Sequence, residues 1–158
     1  MKNRGQTERF PISRAGRSKG LARKLENVPS VPDFLAAAAL AARANAFAPF
    51  SHFLVGAALE DIDGRVHTGC NVENATYGLT VCAERVAVFK AISEGVRKFR
   101  RIAIAADTDT LTPPCGACRQ ILWEFCGDIP IILVNPRGKT ETYQLKELFP
   151  KPFDVAFL

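Results

Sequence analysis

Two short apolar runs constrain the fold of this chain more than any other feature. They are residues 101–107 (RIAIAAD) and 130–135 (PIILVN), and a predicted helix opens between them near Cys115. Continuous runs of this length, bounded by turn residues, are typical of strands buried within a sheet. Residues 52–61 and 66–74 predict two more strands. Strands that alternate with helices predict an α/β fold, with three α/β/α layers around a mixed, mostly buried sheet.

Two further helices complete this pattern. The alanine-rich stretch 34–47 predicts the first, and Ser30 with Asp33 three positions later resembles an N-terminal cap. The second is predicted over residues 82–94 and is closed by Gly95. The sequence therefore predicts four strands and three helices.

The positive charge of the chain is confined to its N-terminal part. The formal net charge is +5, but residues 1–30 carry eight Lys or Arg against two Glu, which leaves −1 for residues 31–158. We predict a basic, mobile extension over 1–30 and a single domain over 31–158. A solvated tail, an organelle-targeting arm and a tail that wraps a partner subunit are all open roles for the extension. A domain without a basic field argues against nucleic acid as a partner.

The apolar content suits a globular domain. Apolar residues make up 47% of the chain, yet the longest uninterrupted apolar run is 34–42, well short of a bilayer span. No apolar signal-peptide core follows the N-terminus. We therefore expect no membrane partner and a cytoplasmic location. We also expect the five cysteines, an odd number, to be reduced thiols or metal ligands.

A closely spaced cysteine pair lies in the sequence TPPCGACRQIL, residues 112–122. Cys115 and Cys118 have the spacing of a metal site or a redox pair, and Cys82 is a third candidate ligand. All three lie where a helix is predicted to begin, and helix N-termini stabilise thiolates through unpaired N–H groups and the helix dipole. Two such helix starts that face each other would collect three thiolates around one Zn²⁺.

Glu84 follows Cys82 by two positions and is a candidate general base. Three protein ligands leave the fourth tetrahedral position of zinc open, which is typical of a catalytic site. Side chains of a first helical turn can converge beyond the helix end, so Glu84 could reach a water there. A ligand-x-Glu segment followed by Pro-Cys-x-x-Cys is the pattern of zinc nucleobase deaminases.

Arg85 is predicted to tune this centre. Zinc with three thiolates carries a formal charge of −1, which weakens the metal as a Lewis acid. A guanidinium that donates to the thiolates withdraws charge and restores that acidity.

The sequence closely resembles the small homotetrameric cytidine deaminases of pyrimidine salvage. The match runs over about 47–153 and includes the segments PFSHFLVGAAL, GCNVENATYGLTVCAERVAVFKAISEG and PPCGACRQIL. The resemblance implies a cytidine deaminase-like fold for the catalytic domain, a homotetramer with shared active sites, and hydrolysis of cytidine and 2′-deoxycytidine to uridine and 2′-deoxyuridine plus ammonia. It also implies one Zn²⁺ per subunit on Cys82, Cys115 and Cys118, with Glu84 as the proton shuttle.

The resemblance further implies a set of nucleoside contacts. Asn71 and Glu73 match the pair that grips a ribose hydroxyl, and an amide and a carboxylate can bind one hydroxyl as donor and acceptor. Phe53 matches the aromatic residue that packs on the pyrimidine. The Ala83 backbone, with Glu84, would bind the edge of the base.

The C-terminal part adds a contact between subunits. Phe153 matches an aromatic residue that reaches a neighbouring subunit's site, which would make the tetramer part of the active site. Two positions depart from the family pattern, because Leu54 replaces a usual proline and Phe50 replaces a usual tyrosine.

Simpler roles and other functions compete with this interpretation. The zinc could be structural, Glu84 an ordinary first-turn carboxylate, Asn71 and Glu73 parts of a turn, and the two phenylalanines plain core. A deaminase of blasticidin-S-type nucleoside antibiotics would use the same metal ligands, and an editing deaminase would use the basic extension. The NVEN segment and Arg85 favour plain nucleosides, and the charge of −1 on residues 31–158 disfavours a nucleic-acid groove.

Overall fold

A computed structural model describes residues 33–158 of the chain. The predicted extension over 1–30 and the predicted cap residue Ser30 lie outside the described residues. The first described helix begins at Phe34, and Asp33 is its N-cap, because the Asp33 side chain accepts a hydrogen bond from the Leu35 amide at 3.0 Å.

A five-stranded mixed sheet forms the centre of the domain. Its strands lie in the spatial order β2-β1-β3-β4-β5, and only the β3–β4 pair is parallel. The prediction of a mixed sheet is therefore confirmed. The strands are β1 (Val55–Asp61), β2 (Val66–Cys70), β3 (Phe99–Ala106), β4 (Pro130–Val134) and β5 (Thr140–Gln144).

Helices cover both faces of this sheet. The helices are α1 (Phe34–Arg43), α2 (Ala83–Ser93), α3 (Gly116–Cys126) and the short α4 (Leu145–Leu148), with two single-turn 3₁₀ segments at Tyr77–Leu79 and Val155–Phe157. Successive β1 residues point to opposite faces, so Ala58 packs with Leu35 of α1 while Leu59 packs with Val88 of α2 and Leu122 of α3. The predicted three-layer α/β/α architecture is confirmed. Among the described helices, none is long and apolar enough to cross a bilayer.

Three predicted elements are shorter in the structure, and the reason is the same for all. Helix α1 ends at Arg43, β1 begins only at Val55, and β2 stops at Cys70. The Phe47 amide donates to the Asn71 carbonyl at 3.0 Å, and Val72 pairs with Val81 instead of continuing β2. These non-local bonds recruit residues 44–54 and 71–81 into two adjoining loops.

Two glycines allow the helices to lie directly on the sheet. A Cβ atom at Gly56 of β1 would stand 2.1 Å from the Ala39 carbonyl oxygen of α1. A Cβ atom at Gly69 of β2 would stand 2.5 Å from the backbone of both Ala83 and Ala87 in α2. Since atoms cannot approach so closely, only glycine permits this packing. Gly69 thereby fixes the first turn of α2.

We expect Gly56→Ala to lower the free energy of unfolding by about 3 kcal/mol or more, because the new methyl group meets backbone that cannot move aside. Urea denaturation followed by circular dichroism measures this loss. Gly78→Ala is the matched control, since a Cβ atom there meets no atom within 4 Å. Equal unfolding midpoints for the two variants would contradict the proposed close contact.

Candidate active site

Three cysteine sulfurs converge at the facing N-termini of two helices. Cys82 is the N-cap of α2, Cys115 is the N-cap of α3, and Cys118 lies in the first turn of α3. The three Sγ atoms all lie within 4.8 Å of one another, and those of Cys82 and Cys115 are 3.9 Å apart. The structure thus brings together the three residues that the sequence predicted as ligands.

The spacing of these sulfurs fits a tetrahedral zinc site. A Zn–S bond of about 2.3 Å in tetrahedral geometry separates two sulfurs by about 3.8 Å. The observed 3.9 Å between Cys82 and Cys115 agrees with that value. Soft thiolate ligands also select zinc over hard cations such as magnesium.

Negative charge in the cysteine cluster concentrates on Cys82. The hydrogen bond from Cys118 lowers the pKa of Cys82 to about 5, and the Arg85 guanidinium adds to this effect. The same hydrogen bond, together with burial, raises the pKa of the Cys118 thiol. Cys82 is therefore the sulfur of the cluster that most readily becomes a thiolate, the form that binds a metal.

Arg85 lies beside the cluster, as the sequence analysis requires of a residue that tunes it. Its Nη2 atom donates to the Thr80 carbonyl at 2.8 Å and lies 3.7 Å from the Cys82 sulfur. Its Nε–H is buried and has no acceptor among residues 33–158. A half-buried guanidinium with spare donor capacity suits a centre that carries net negative charge.

Glu84 is the second residue of α2, and only 5% of its surface is exposed. Burial raises the pKa of its carboxyl group, and the negative charge on Cys82 raises it further. A raised pKa makes a carboxylate a stronger proton acceptor, as a general base requires.

A cavity of about 230 Å³ opens in front of Glu84 and the cysteines. Five residues that the resemblance assigned to substrate or catalysis contribute to its wall, namely Phe53, Asn71, Glu73, Ala83 and Glu84. The remaining lining residues are Ser51, Val55, Thr80, Cys82, Ile104, Thr112, Pro113 and Cys115.

Asn71 uses its side chain to hold the loop before β1. Its Oδ1 accepts from the Val55 amide at 2.8 Å, and its Nδ2 donates to the Phe53 carbonyl at 2.8 Å. An amide has one further lone pair and one further N–H, so these bonds leave capacity for a ligand. Asn71 therefore has the structural role that the sequence analysis left open, and a sugar contact stays a prediction.

Glu73 also binds the loop before β1, through hydrogen bonds from Phe50 and Ser51 to its carboxylate. Its Oε2 accepts from the amides of Phe50 at 2.9 Å and Ser51 at 3.2 Å, while its Oε1 accepts from the Ser51 hydroxyl. The hydrogen bond from the Ser51 hydroxyl is the largest cause that lowers the pKa of Glu73, so the carboxylate stays ionised.

Phe153 does not line the cavity of its own chain within the described part of the protein. Its side chain is 58% exposed and stacks on Phe157 with ring centroids 5.5 Å apart. The Gln120 side chain donates to its carbonyl at 2.7 Å. Its predicted contact with a neighbouring subunit stays a prediction.

Sequence reasoning assigned no role to Ser51, Thr112 or Pro113, although all three line the cavity. Pro113 and Thr112 lie two and three positions before Cys115 in the quoted cysteine segment, so their place beside the cysteine pair was a usable signal. Ser51 offered no such signal, because its role comes from a contact with Glu73, 22 positions away.

The fold and the cysteine centre define an α/β protein that can hold one metal ion at the end of a small cavity. The fold is similar to the crystal structure of cytidine deaminase from Burkholderia pseudomallei, with a TM-score of 0.74 and 44% identity, covering 78% of this chain and 100% of that one. It is also similar to cytidine deaminase from Mycobacterium tuberculosis, with a TM-score of 0.67 and 39% identity, covering 77% and 96% of the two chains.

Sequence relatives agree with these structures. Cytidine deaminase from Sporosarcina psychrophila is 50% identical over 113 residues, 71% of this chain and 83% of the relative. That from Halalkalibacterium halodurans is 51% identical over 116 residues, 73% and 88% of the two chains. Residues 30–133 match the family model described as the cytidine and deoxycytidylate deaminase zinc-binding region, and the chain belongs to that family.

We expect Asn71→Ala to lower the free energy of unfolding by about 1–3 kcal/mol, because the Val55 amide and the Phe53 carbonyl both lose their partner. Urea unfolding measures this loss. The control is Asn74→Ala, which should cost less than about 1 kcal/mol, because within residues 33–158 the Asn74 side chain accepts only from the exposed Thr76 amide. A cost for Asn71→Ala no larger than that of the control would contradict the role of Asn71 in holding the loop before β1.

Proposed function

We propose that this protein is a zinc-dependent hydrolase that converts cytidine and 2′-deoxycytidine to uridine and 2′-deoxyuridine, with release of ammonia. The observation that carries the proposal is the position of the buried Glu84 residue in one cavity with Cys82 and Cys115 of the three-cysteine cluster. The names of the two sequence relatives, both cytidine deaminases, support the choice of substrate.

Cys82, Cys115 and Cys118 would hold one Zn²⁺ per chain as thiolates. Bound zinc supplies a Lewis acid that makes water a nucleophile near neutral pH. Arg85 donates toward Cys82 and so reduces the negative charge that the thiolates place on the centre.

Glu84 moves the protons of the reaction. It takes a proton from the attacking water and delivers it to N3 of the pyrimidine, while the water oxygen bonds to C4. It then takes the second proton from that oxygen and gives it to the amino group, and the C4–N bond breaks as ammonia leaves. Burial and the negative charge of Cys82 raise the pKa of Glu84, which strengthens the carboxylate as a proton acceptor for this step.

The cavity wall would bind the nucleoside. Phe53 packs against the pyrimidine, the Ala83 backbone contacts the base edge, and Asn71 and Glu73 bind a ribose hydroxyl. These roles follow from the family resemblance and from the shared cavity.

We further propose a homotetramer in pyrimidine salvage, in which Phe153 of each subunit reaches a neighbouring site. A cytoplasmic location and a mobile extension over 1–30 stay predictions.

We expect Glu84→Gln to reduce kcat for cytidine by at least about 10²–10⁴-fold, because the amide keeps the shape of the carboxyl group but cannot shuttle protons. The fall in absorbance on conversion of cytidine to uridine measures the rate, and metal analysis should show unchanged zinc. Glu124→Gln, an exposed site on α3, is the control. A Glu84→Gln enzyme that retains full activity would exclude this mechanism.

We expect one zinc ion per chain by elemental analysis, and we expect each of Cys82→Ser, Cys115→Ser and Cys118→Ser to lose most of it, since the hydroxyl is a poor substitute for a thiolate ligand. Cys70→Ser is the matched control, because the Cys70 thiol donates to the Asn45 carbonyl and lies outside the cluster. Full zinc content in any of the three variants would remove that residue from the ligand set.

A further inference from the structure

The loop that forms one wall of the cavity is held together at Ser51. Its hydroxyl accepts a hydrogen bond from the Phe53 amide at 3.0 Å and donates one to Oε1 of Glu73. A serine hydroxyl has a single hydrogen, so donation to Glu73 fixes its orientation. Ser51 also lines the cavity itself.

Both backbone polar groups of Phe53 make hydrogen bonds. The amide donates to the Ser51 hydroxyl, and the carbonyl accepts from the Asn71 side chain at 2.8 Å. The preceding residue, His52, has a φ angle of +56°. This is the left-handed backbone region, which residues other than glycine rarely adopt. The loop keeps this conformation because bonds on either side of His52 hold it.

The two oxygens of the Glu73 carboxylate are used differently. Oε2 accepts from two backbone amides, whereas Oε1 accepts only from the Ser51 hydroxyl among the described residues. A carboxylate oxygen can accept more than one hydrogen bond. Oε1 is therefore the oxygen with capacity for a ligand, and Ser51 determines where it lies.

We propose that Ser51 is a positioning residue that joins the sugar-binding carboxylate of Glu73 to the base-packing ring of Phe53, and so sets the affinity for the ribose half of the nucleoside. The inference rests on the proposed function, because it takes the roles of Glu73 and Phe53 from it. Ser51 acts through Glu73, so its contribution should depend on a sugar hydroxyl being present.

The test compares Ser51→Ala with the unchanged protein on two substrates, cytidine and 2′,3′-dideoxycytidine, which lacks both ribose secondary hydroxyls. We expect Ser51→Ala to raise KM for cytidine about tenfold, with kcat changed less than about threefold. On dideoxycytidine the KM ratio of the two proteins should be several-fold smaller, because only the contact with the Phe53 amide then contributes. A residue that merely stabilised the loop would raise KM for both substrates by the same factor.

Further variants make the test specific. Ser51→Thr keeps the hydroxyl and should retain most of the affinity for cytidine. Glu73→Gln should remove the effect of Ser51→Ala, so that the double variant binds no worse than Glu73→Gln alone. Ser93→Ala is the matched control, since the Ser93 hydroxyl donates to the Lys90 carbonyl at the end of α2 and does not line the cavity.

The possible outcomes distinguish failure of the role proposed for Ser51 from failure of the proposed function. An unchanged protein that does not deaminate cytidine overturns the proposed function and this inference with it. An active protein with equal KM ratios on the two substrates overturns the role of Ser51 alone. If Ser51→Ala unfolds, Ser51→Cys, with a weaker donor at the same position, is compared by the same ratio, and equal ratios again overturn the inference.

Discussion

The meeting of two helix N-termini at three sulfur atoms is the constraint on which the rest of the structure depends. Helix α2 is fixed there by its backbone contact with Gly69 of β2. Helix α3 is fixed by the parallel pairing of β3 with β4, which requires a crossover connection and places α3 beside α2 on one face of the sheet. Neither helix could slide along its axis without separating Cys82 from Cys115. The sheet is thus the base for a cluster that no single segment could form.

The negative charge of this cluster attracts the Arg85 guanidinium and disfavours the ionised form of Glu84. Arg85 approaches Cys82 and stabilises its thiolate, as does the N-terminus of α2. Glu84 lies in the same helical turn, where burial and the thiolate charge both raise the pKa of its carboxyl group. The same arrangement therefore favours the thiolate form of Cys82 and raises the proton affinity of the Glu84 carboxylate.

Most of the core and the three-cysteine cluster could be predicted from local sequence, but the cavity wall could not. The runs that became β3 and β4 are apolar and short, and the cysteines lie at helix starts, so each signal lies within a few residues. Residues 52–54 also read as strand, yet Asn71 and Glu73 hold them in a loop from about twenty positions away. Strand β5 was missed because its mostly polar sequence, TETYQ, alternates between half-buried and exposed positions at a sheet edge. Pairing with a distant partner cannot be read from the segment alone.

The cavity wall also explains how the chain tolerates its two departures from the family pattern. A proline at position 54 would restrict the backbone by its ring. Here the Leu54 carbonyl accepts from the Arg43 side chain at 3.1 Å, and Asn71 holds both neighbouring residues, so hydrogen bonds supply the restriction that the ring would give. At position 50 the group that contacts Glu73 is the backbone amide, and the phenylalanine ring packs edge-on against Tyr77 with centroids 6.2 Å apart. Loss of a tyrosine hydroxyl there leaves that backbone bond intact, because the wall is held by side chains that bind backbone groups from outside the loop.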